Sequence, residues 1–379
     1  MASFPLAMVY IIYPILSAVL NIFDIVAINY ELINIIILLP FVVIGLINHI
    51  KINKYISETL IICLFLILLK YVLPSIYEVN VVWRALFIDV KWLIYLVLAL
   101  LWVGLFGKID FYKIYYYGKI YAIIYIVYVI IMTIKSGNFS RENSGLLSEC
   151  NYDCFLLLIP FCFYYTRPRK SFDFILFLVA ILFSTSKTGF VTFFAIICYR
   201  MFKNSKFKLF IILLFNGLIV FWLYIFFINK GITEVDEVDR VIYFLQFFDY
   251  ISQSSLSNSL FGIFPGKSMD INPMPAFEWT IHKFETMNKI VGCFPFIFHS
   301  TYMRLGIVWG IPFVIFIIAK LLHLFFVTTI EPLKYLLIVF FLESISLSTL
   351  SLENISFVYF ICIISVFWVH CNVSLKCTK

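Results

Sequence analysis

The chain has 379 residues, of which 63% are hydrophobic and 13% are charged, and its mean hydropathy is +1.04. Soluble domains carry about 25% charged residues, so this composition excludes a water-exposed fold. The net charge is +7, but the basic residues are dispersed between apolar segments and form no clustered patch of the kind that binds nucleic acid.

Apolar runs recur along the whole chain, and each predicts a helix because lipid offers the backbone no hydrogen-bond partner. The first run is expected to be retained, since it has no basic start and no small-residue cleavage site. We therefore predict one all-α domain, residues 1–379, built as a polytopic transmembrane helical bundle. Its twelve predicted spans lie near residues 5–23, 33–48, 58–74, 90–106, 119–135, 151–165, 172–184, 189–201, 208–228, 301–320, 335–350 and 355–371.

The basic residues of the connecting segments predict the orientation of the bundle. When the segments are assigned alternately to the two sides, sixteen Lys and Arg residues fall on one side and five on the short segments of the other. Basic residues are retained preferentially in the cytoplasm. Both termini are therefore predicted to be cytoplasmic.

One connection, residues 229–298, separates the predicted ninth and tenth spans on the outer side. Connections longer than about fifteen residues are usually functional or disordered. Apolar residues recur in it at helical spacing, namely Val238, Val241, Leu245 and Phe248, and a polar face lies opposite, namely Asp236, Asp239, Gln246, Asp249 and Gln253. The pattern predicts an amphipathic helix that lies on the membrane or packs against the rest of the protein.

A short turn joins the predicted seventh and eighth spans, which share only the 29 residues between Lys170 and Arg200. Two full spans need about twenty residues each, so Lys187 in this turn is expected at or just below the outer boundary of the membrane. An ionisable group is costly there and is a candidate for function, with phosphate as a natural partner. The alternative is that Lys187 only extends to the interface.

Two arginines of the same side, Arg141 and Arg240, present a similar choice. A guanidinium binds phosphate oxygens in a bidentate fork and keeps its charge. Each arginine alone is equally consistent with a solvated surface residue. They become candidates for anion binding if they converge with Lys187.

The predicted tenth span begins just after His299 and contains Tyr302 and Arg304. A histidine at this depth either takes a proton from a sugar hydroxyl near neutral pH or satisfies backbone groups at the interface. Glu343, well inside the eleventh apolar run, is a candidate proton relay or a partner for a neighbouring helix.

Three segments and the late outer loop resemble the superfamily of O-antigen polymerases and O-antigen ligases, which are bacterial polytopic membrane glycosyltransferases. Residues 183–189 (FSTSKTG) are similar to its Ser-Arg turn between paired spans, with Lys187 in place of arginine. Arg240 and residues 260–266 (LFGIFPG) are similar to its loop arginine and Gly-rich turn. His299-Ser300 followed by Gly310 is similar to its His-Asn/Ser motif, although Phe313 stands where a second small residue is frequent.

The resemblance implies glycosyl transfer at the periplasmic face of the bacterial inner membrane, from an undecaprenyl-pyrophosphate-linked oligosaccharide to an acceptor hydroxyl. It implies no metal and no cofactor. His299 would be the catalytic residue, and the substrate-binding residues would be Lys187, Arg240, Arg141, Arg304 and Tyr302. The expected partners are the lipid-linked oligosaccharides, membrane lipid and a chain-length regulator, with no nucleic acid.

Several alternatives stay open at this point. A polymerase extends a second lipid-linked repeat unit, whereas a ligase acts on lipid A core, and a capsule or exopolysaccharide polymerase would show the same features. We expect a polymerase because the chain is poor in motifs, as suits an enzyme fitted to one repeat unit. A twelve-span transporter or lipid-linked oligosaccharide flippase matches the span count, but such proteins often contain internal repeats and midplane charged sites. A scaffold would leave the large loop unexplained.

Overall fold

The computed structural model describes residues 1–25, 30–47, 54–141, 144–147, 149–166, 171–204, 217, 239–350 and 353–377. Within these residues the protein consists of fifteen helices joined by turns, without strands. The predicted all-α fold class is confirmed.

The first eight helices correspond to the first eight predicted spans. They are α1 Phe4–Ile22, α2 Tyr30–Ile47, α3 Lys54–Tyr77, α4 Trp83–Phe106, α5 Phe111–Ser136, α6 Cys150–Phe161, α7 Ser171–Phe183 and α8 Lys187–Asn204. Among the described residues, α1, α3, α4 and α5 are long and apolar enough to cross a membrane. The predicted ninth span, residues 208–228, lies outside the described residues apart from Gly217.

Seven further helices are described after that gap. They are α9 Asp239–Gln253, α10 Leu256–Phe261, α11 Pro275–Asn288, α12 Thr301–Trp309, α13 Ile311–Val327, α14 Glu331–Ser346 and α15 Glu353–Cys377. The prediction of one continuous span over residues 301–320 is wrong. Gly310, at φ 87°, ends α12, and Pro312 in the first turn of α13 starts a new helix. Hydropathy records the apolar run but not a break of this kind.

The centre of the bundle is α6, whose twelve residues are all buried. It packs against α5, α7 and α8, and α4 lies along α15. A helix that is apolar on every side belongs in a protein interior. Its one acidic residue, Asp153, accepts hydrogen bonds from the Tyr121 hydroxyl at 2.7 Å and from the Leu146 amide at 2.7 Å. The carboxylate is thereby satisfied inside the bundle.

Residues 239–298, which we call the loop module, form a separate apolar core within the predicted outer loop. Its buried side chains include those of Tyr243, Phe247, Phe277, Phe294 and Phe298. This core also reaches α4 and α12 through Ala85, Met303 and Ile307. The module is therefore packed onto the helices and not only tethered to them.

The amphipathic helix predicted in the loop is present as α9, although one residue of its predicted polar face is buried. Gln246, assigned to the polar face, is fully buried, and its amide accepts from the Met274 backbone N–H at 2.8 Å. Leu245 and Phe248 of the predicted apolar face are 43% and 63% exposed. A buried amide that satisfies backbone groups carries little penalty, and polarity patterns do not reveal such pairs. α9 thus packs on the loop module through one face and exposes an apolar edge, so both predicted roles stay open.

Candidate functional site

His299 lies between the loop module and the other helices of the bundle, directly before α12. Its half-buried imidazole packs edge-on against Tyr243 of α9, with ring centroids 5.0 Å apart, and lies 5.7 Å from the ring of Phe284 in α11. The His299 carbonyl accepts a hydrogen bond from Ser348 Oγ at 2.9 Å. The module on one side and the segment after α14 on the other therefore fix this residue. Tyr243 was missed in the sequence because an aromatic at helical spacing usually indicates core.

A series of buried hydroxyl groups continues from the His299 corner (residues 299–301) to the C-terminal end of α14. Ser300 Oγ donates to the Ser344 carbonyl at 3.0 Å. The Ser344 and Thr349 hydroxyl oxygens are 2.7 Å apart, and those of Thr301 and Thr349 are 3.0 Å apart. Fully bonded polar networks of this kind rigidify a site, so the corner is held in one arrangement.

The same end of α14 also contacts α8. Thr188 Oγ1 lies 2.9 Å from Ser346 Oγ, and Thr192 Oγ1 donates to Glu343 Oε1 at 2.8 Å. Glu343 is fully buried, and its Oε2 has no hydrogen-bond partner among the described residues. Glu343 was predicted to be either a proton relay or a partner for a neighbouring helix. Its hydrogen bond with Thr192 of α8 is of the second kind.

Residues 184–188, the Lys187 turn, place a half-buried lysine at the start of α8. Thr185 in this turn has a φ of 52°. Cys150 Sγ accepts a hydrogen bond from Arg141 Nε at 3.2 Å and lies 4.0 Å from Thr185 Oγ1. The structure therefore brings Arg141 to the turn that carries Lys187.

Arg240 is the second residue of α9. Its backbone is described, but its side chain lies outside the described residues. The backbone of Arg240 precedes Tyr243 by three residues, which is one turn of helix. α9 thus places Arg240 one turn from the residue that contacts His299.

Two other predicted substrate-binding residues are held by partners within the protein. Arg304 is buried, and its Nη2 forms an ion pair with Asp89 Oδ1 of α4 at 2.6 Å. The Tyr302 hydroxyl donates to the Phe341 carbonyl at 3.4 Å. The charge of Arg304 is therefore already neutralised. Asp89 was not singled out in the sequence, although an acidic residue inside an apolar run is itself a signal for such a pair.

The Gly-rich segment 260–266 and Gly310 contact each other through their backbones. The Ile263 amide donates to the Ile307 carbonyl at 2.9 Å. A Cβ atom on Gly262 would lie 2.2 Å from a carbonyl oxygen of α12, and one on Gly310 would lie 2.2 Å from the Leu260 carbonyl oxygen. Both glycines are required because no side chain fits where the loop module crosses the break between α12 and α13.

The loop module also carries an open groove of about 570 Å³ beside the C-terminal half of α9. Most of its lining side chains are polar: the carboxylates Glu78, Asp249 and Asp270, the amides Gln253, Asn258 and Asn272, and the hydroxyls Ser254, Ser255 and Ser268. The phenol of Tyr250 in this groove is protonated at neutral pH, because the ordinary pKa of tyrosine is about 10 and burial raises it further. The groove was not predicted, because it forms only when residues 249–272 fold back on themselves and Glu78 joins them.

The described residues thus place two groups of candidates around the end of α14. The His299 corner with Tyr243 forms one group, and the Lys187 turn with Arg141 forms the other. Comparisons of the chain with protein-family models, curated proteins and solved structures find no match.

Proposed function

We propose that the chain is a membrane glycosyltransferase that joins oligosaccharide repeat units carried on undecaprenyl pyrophosphate, as an O-antigen polymerase does. The observation that carries this proposal is the junction at the end of α14, where hydrogen bonds link α14 to the His299 corner and to the Lys187 turn. The residue after the candidate base and the residue after a candidate cation thus both contact the same end of α14. Transfer from a pyrophosphate donor needs both a base and a cation.

In the proposed reaction, a hydroxyl oxygen of the acceptor sugar attacks the anomeric carbon of the donor sugar. The bond from that carbon to the pyrophosphate oxygen breaks, and its electron pair leaves with the pyrophosphate. The hydroxyl proton passes to the imidazole of His299 and then to water. Negative charge grows on the leaving group, and fixed cations stabilise it. Lys187 and Arg141 supply that charge at the turn, and Arg240 supplies it at the start of α9.

The proposal includes the placement of the protein in the bacterial inner membrane, with twelve spans and both termini in the cytoplasm. The excess of basic residues on one set of connecting segments supports this orientation. It puts the loop module and the Lys187 turn at the periplasmic face. Substrates that are themselves anchored in lipid can reach a site at that boundary.

Arg304 and Tyr302 take structural roles in this proposal. Because Arg304 is paired with Asp89, it connects α12 to α4 close in sequence to the His299 corner. Tyr302 similarly ties α12 to the Phe341 carbonyl of α14. Both residues then act on the reaction by positioning His299.

A transporter or flippase is the rival hypothesis, and the break between α12 and α13 is the observation in its favour. Transporters use discontinuous helices to line a substrate site. Here the loop module covers the break, since the Ile263 amide occupies the Ile307 carbonyl and Gly262 packs on the backbone of α12. The loop module thus occupies backbone of α12 that a substrate site at the break would use, and this favours the enzyme.

The test is a deletion strain whose lipopolysaccharide is separated on a gel. Loss of a polymerase leaves core that carries one repeat unit and removes the ladder of longer chains. Loss of a ligase or flippase removes the capped bands altogether. An intact ladder in the deletion strain would contradict the proposal.

A further inference from the structure

We propose that the groove of the loop module binds the sugar part of the lipid-linked substrate and selects neutral and amino sugars over acidic ones. This inference rests on the proposed function. It adds where the oligosaccharide is held and which sugar charge the protein accepts.

The groove has the size and the fixed walls of a binding site. Its volume of about 570 Å³ falls within the roughly 300–1,000 Å³ of sites for small molecules. Three backbone amides donate hydrogen bonds that fix the groove and the chain beside it. The Met274 amide donates to Gln246 Oε1 at 2.8 Å, the Met269 amide to the Cys293 carbonyl at 2.7 Å, and the Val82 amide to the Gly266 carbonyl at 2.8 Å. A ligand therefore meets a preformed surface and need not order it.

The lining suits the hydroxyl groups of a sugar. Carboxylates accept hydrogen bonds, whereas side-chain amides both donate and accept, so together they match neighbouring hydroxyls on a ring. Within the part of the chain that the structure describes, the side chains of Asp270 and Asn258 make no hydrogen bond or ion pair. Tyr250 and Phe264 line the same groove and offer ring surface to the apolar faces of a sugar.

The net negative charge of the groove disfavours binding of the pyrophosphate end of the substrate. Its lining carries three carboxylates and one ammonium, that of Lys267, which lies 3.6 Å from a carboxylate oxygen of Glu78. The excess negative charge repels a pyrophosphate or a uronic acid and attracts the ammonium of an amino sugar. The pyrophosphate would instead be held at the Lys187 turn.

The groove lies within reach of His299 along one helix. Tyr250 in the groove and Tyr243 at His299 are seven residues apart in α9, which corresponds to about 10 Å at the rise of an α-helix. Positions seven apart lie on the same face. An oligosaccharide seated in the groove can therefore extend to the imidazole, and its remote contacts can position the reacting end.

The test uses the purified full chain in detergent and three probes that differ in charge. They are chitotriose, which carries amines, its neutral N-acetylated form, and the N-acetylated form oxidised to carboxylates at C6. We expect the first two to bind at least about tenfold more tightly than the acidic probe. The double substitution Asp249→Asn with Asp270→Asn should abolish this preference. Asn258→Ala should weaken binding of the amine and neutral probes.

Glu278→Gln is the matched control, because Glu278 is an exposed carboxylate of α11 outside the groove. It should leave all three dissociation constants unchanged. Three results would overturn the inference. The acidic probe would bind as tightly as the others, the preference would survive the double substitution, or the amine and neutral probes would not bind. If the sugar-binding test fails, the result of the deletion-strain gel is unaffected. If the deletion strain keeps an intact ladder, the measured sugar binding remains valid. The two proposals can therefore be contradicted separately.

Discussion

The imidazole of His299 packs edge-on against the phenol ring of Tyr243, with the ring centroids 5.0 Å apart. Tyr243 belongs to α9 of the loop module, whereas His299 leads into α12. The ring that we propose takes the proton is thus oriented by the loop module. The loop module therefore helps to build the proposed site as well as to bind the proposed substrate.

Replacing Tyr243 should impair chain extension without removing the protein. Tyr243→Leu takes away the ring that orients His299, and small misplacements of a catalytic group can cost about a hundredfold in rate. We expect short or absent ladders from this variant, whereas Tyr243→Phe, which keeps the ring, should extend chains. Membrane levels of both variants serve as the control. A normal ladder from Tyr243→Leu would show that the contact is not used.

The crossing of Gly262 and Gly310 predicts a difference between two glycine substitutions. Gly262 and Gly107 have nearly the same backbone conformation, with φ 70° and ψ −177° in one and φ 82° and ψ 175° in the other. A Cβ on Gly107 meets nothing within 4 Å, whereas one on Gly262 meets a carbonyl oxygen at 2.2 Å. Gly107→Ala should therefore cost only the backbone strain, about 1–3 kcal/mol, and Gly262→Ala should cost more. Thermal unfolding in detergent measures both, and equal losses would contradict the crossing.

The ion pair of Arg304 and Asp89 predicts that one substitution is worse than two. Arg304→Met leaves a buried carboxylate without its partner, which typically costs about 3–5 kcal/mol, so the protein should accumulate poorly. Adding Asp89→Leu removes the orphaned charge and should restore both accumulation and the ladder. If the double variant accumulates but forms no ladder, Arg304 would instead be assigned to substrate binding.

The hydrogen bond from Thr192 to Glu343 predicts a stability effect of its own. Thr192→Val keeps the shape but deprives the buried carboxyl group of its donor, at a cost of about 1–3 kcal/mol. Thr133→Val is the control, because the Thr133 hydroxyl only bonds back to the Val129 carbonyl of its own helix. The unfolding temperature should fall for the first variant and hardly change for the second. Equal shifts would mean that the bond to Glu343 adds nothing.

The sequence predicted the helices well because lipid leaves the backbone few alternatives. Long apolar runs predicted α1, α3, α4 and α5, but α4 begins at Trp83 and α5 at Phe111, well before the predicted starts at residues 90 and 119. The break at Gly310 and the burial of Gln246 were not predicted. The burial of Gln246 depends on the Met274 backbone, which is distant in the chain, and no local pattern records it. The break has a local signal in Gly310 and Pro312, but hydropathy alone does not record it.

The candidate site was predicted only in part for the same reason. Single residues with unusual charge or depth, such as Lys187 and His299, could be recognised from their position in the sequence. Their surroundings could not, since Tyr243, Cys150 and the hydroxyls around Ser344 become relevant only once the helices pack. For Arg304 the sequence predicted a substrate contact, whereas packing supplies Asp89 as its partner.

The most direct measurement is chain extension by the purified protein in lipid vesicles supplied with lipid-linked repeat units. We predict products that grow by whole repeat units, with one undecaprenyl pyrophosphate released for each bond formed. The His299→Ala variant, reconstituted at the same level, should form no bond. Vesicles in which the wild-type protein leaves the repeat units unjoined, or in which His299→Ala joins them equally fast, would contradict the account.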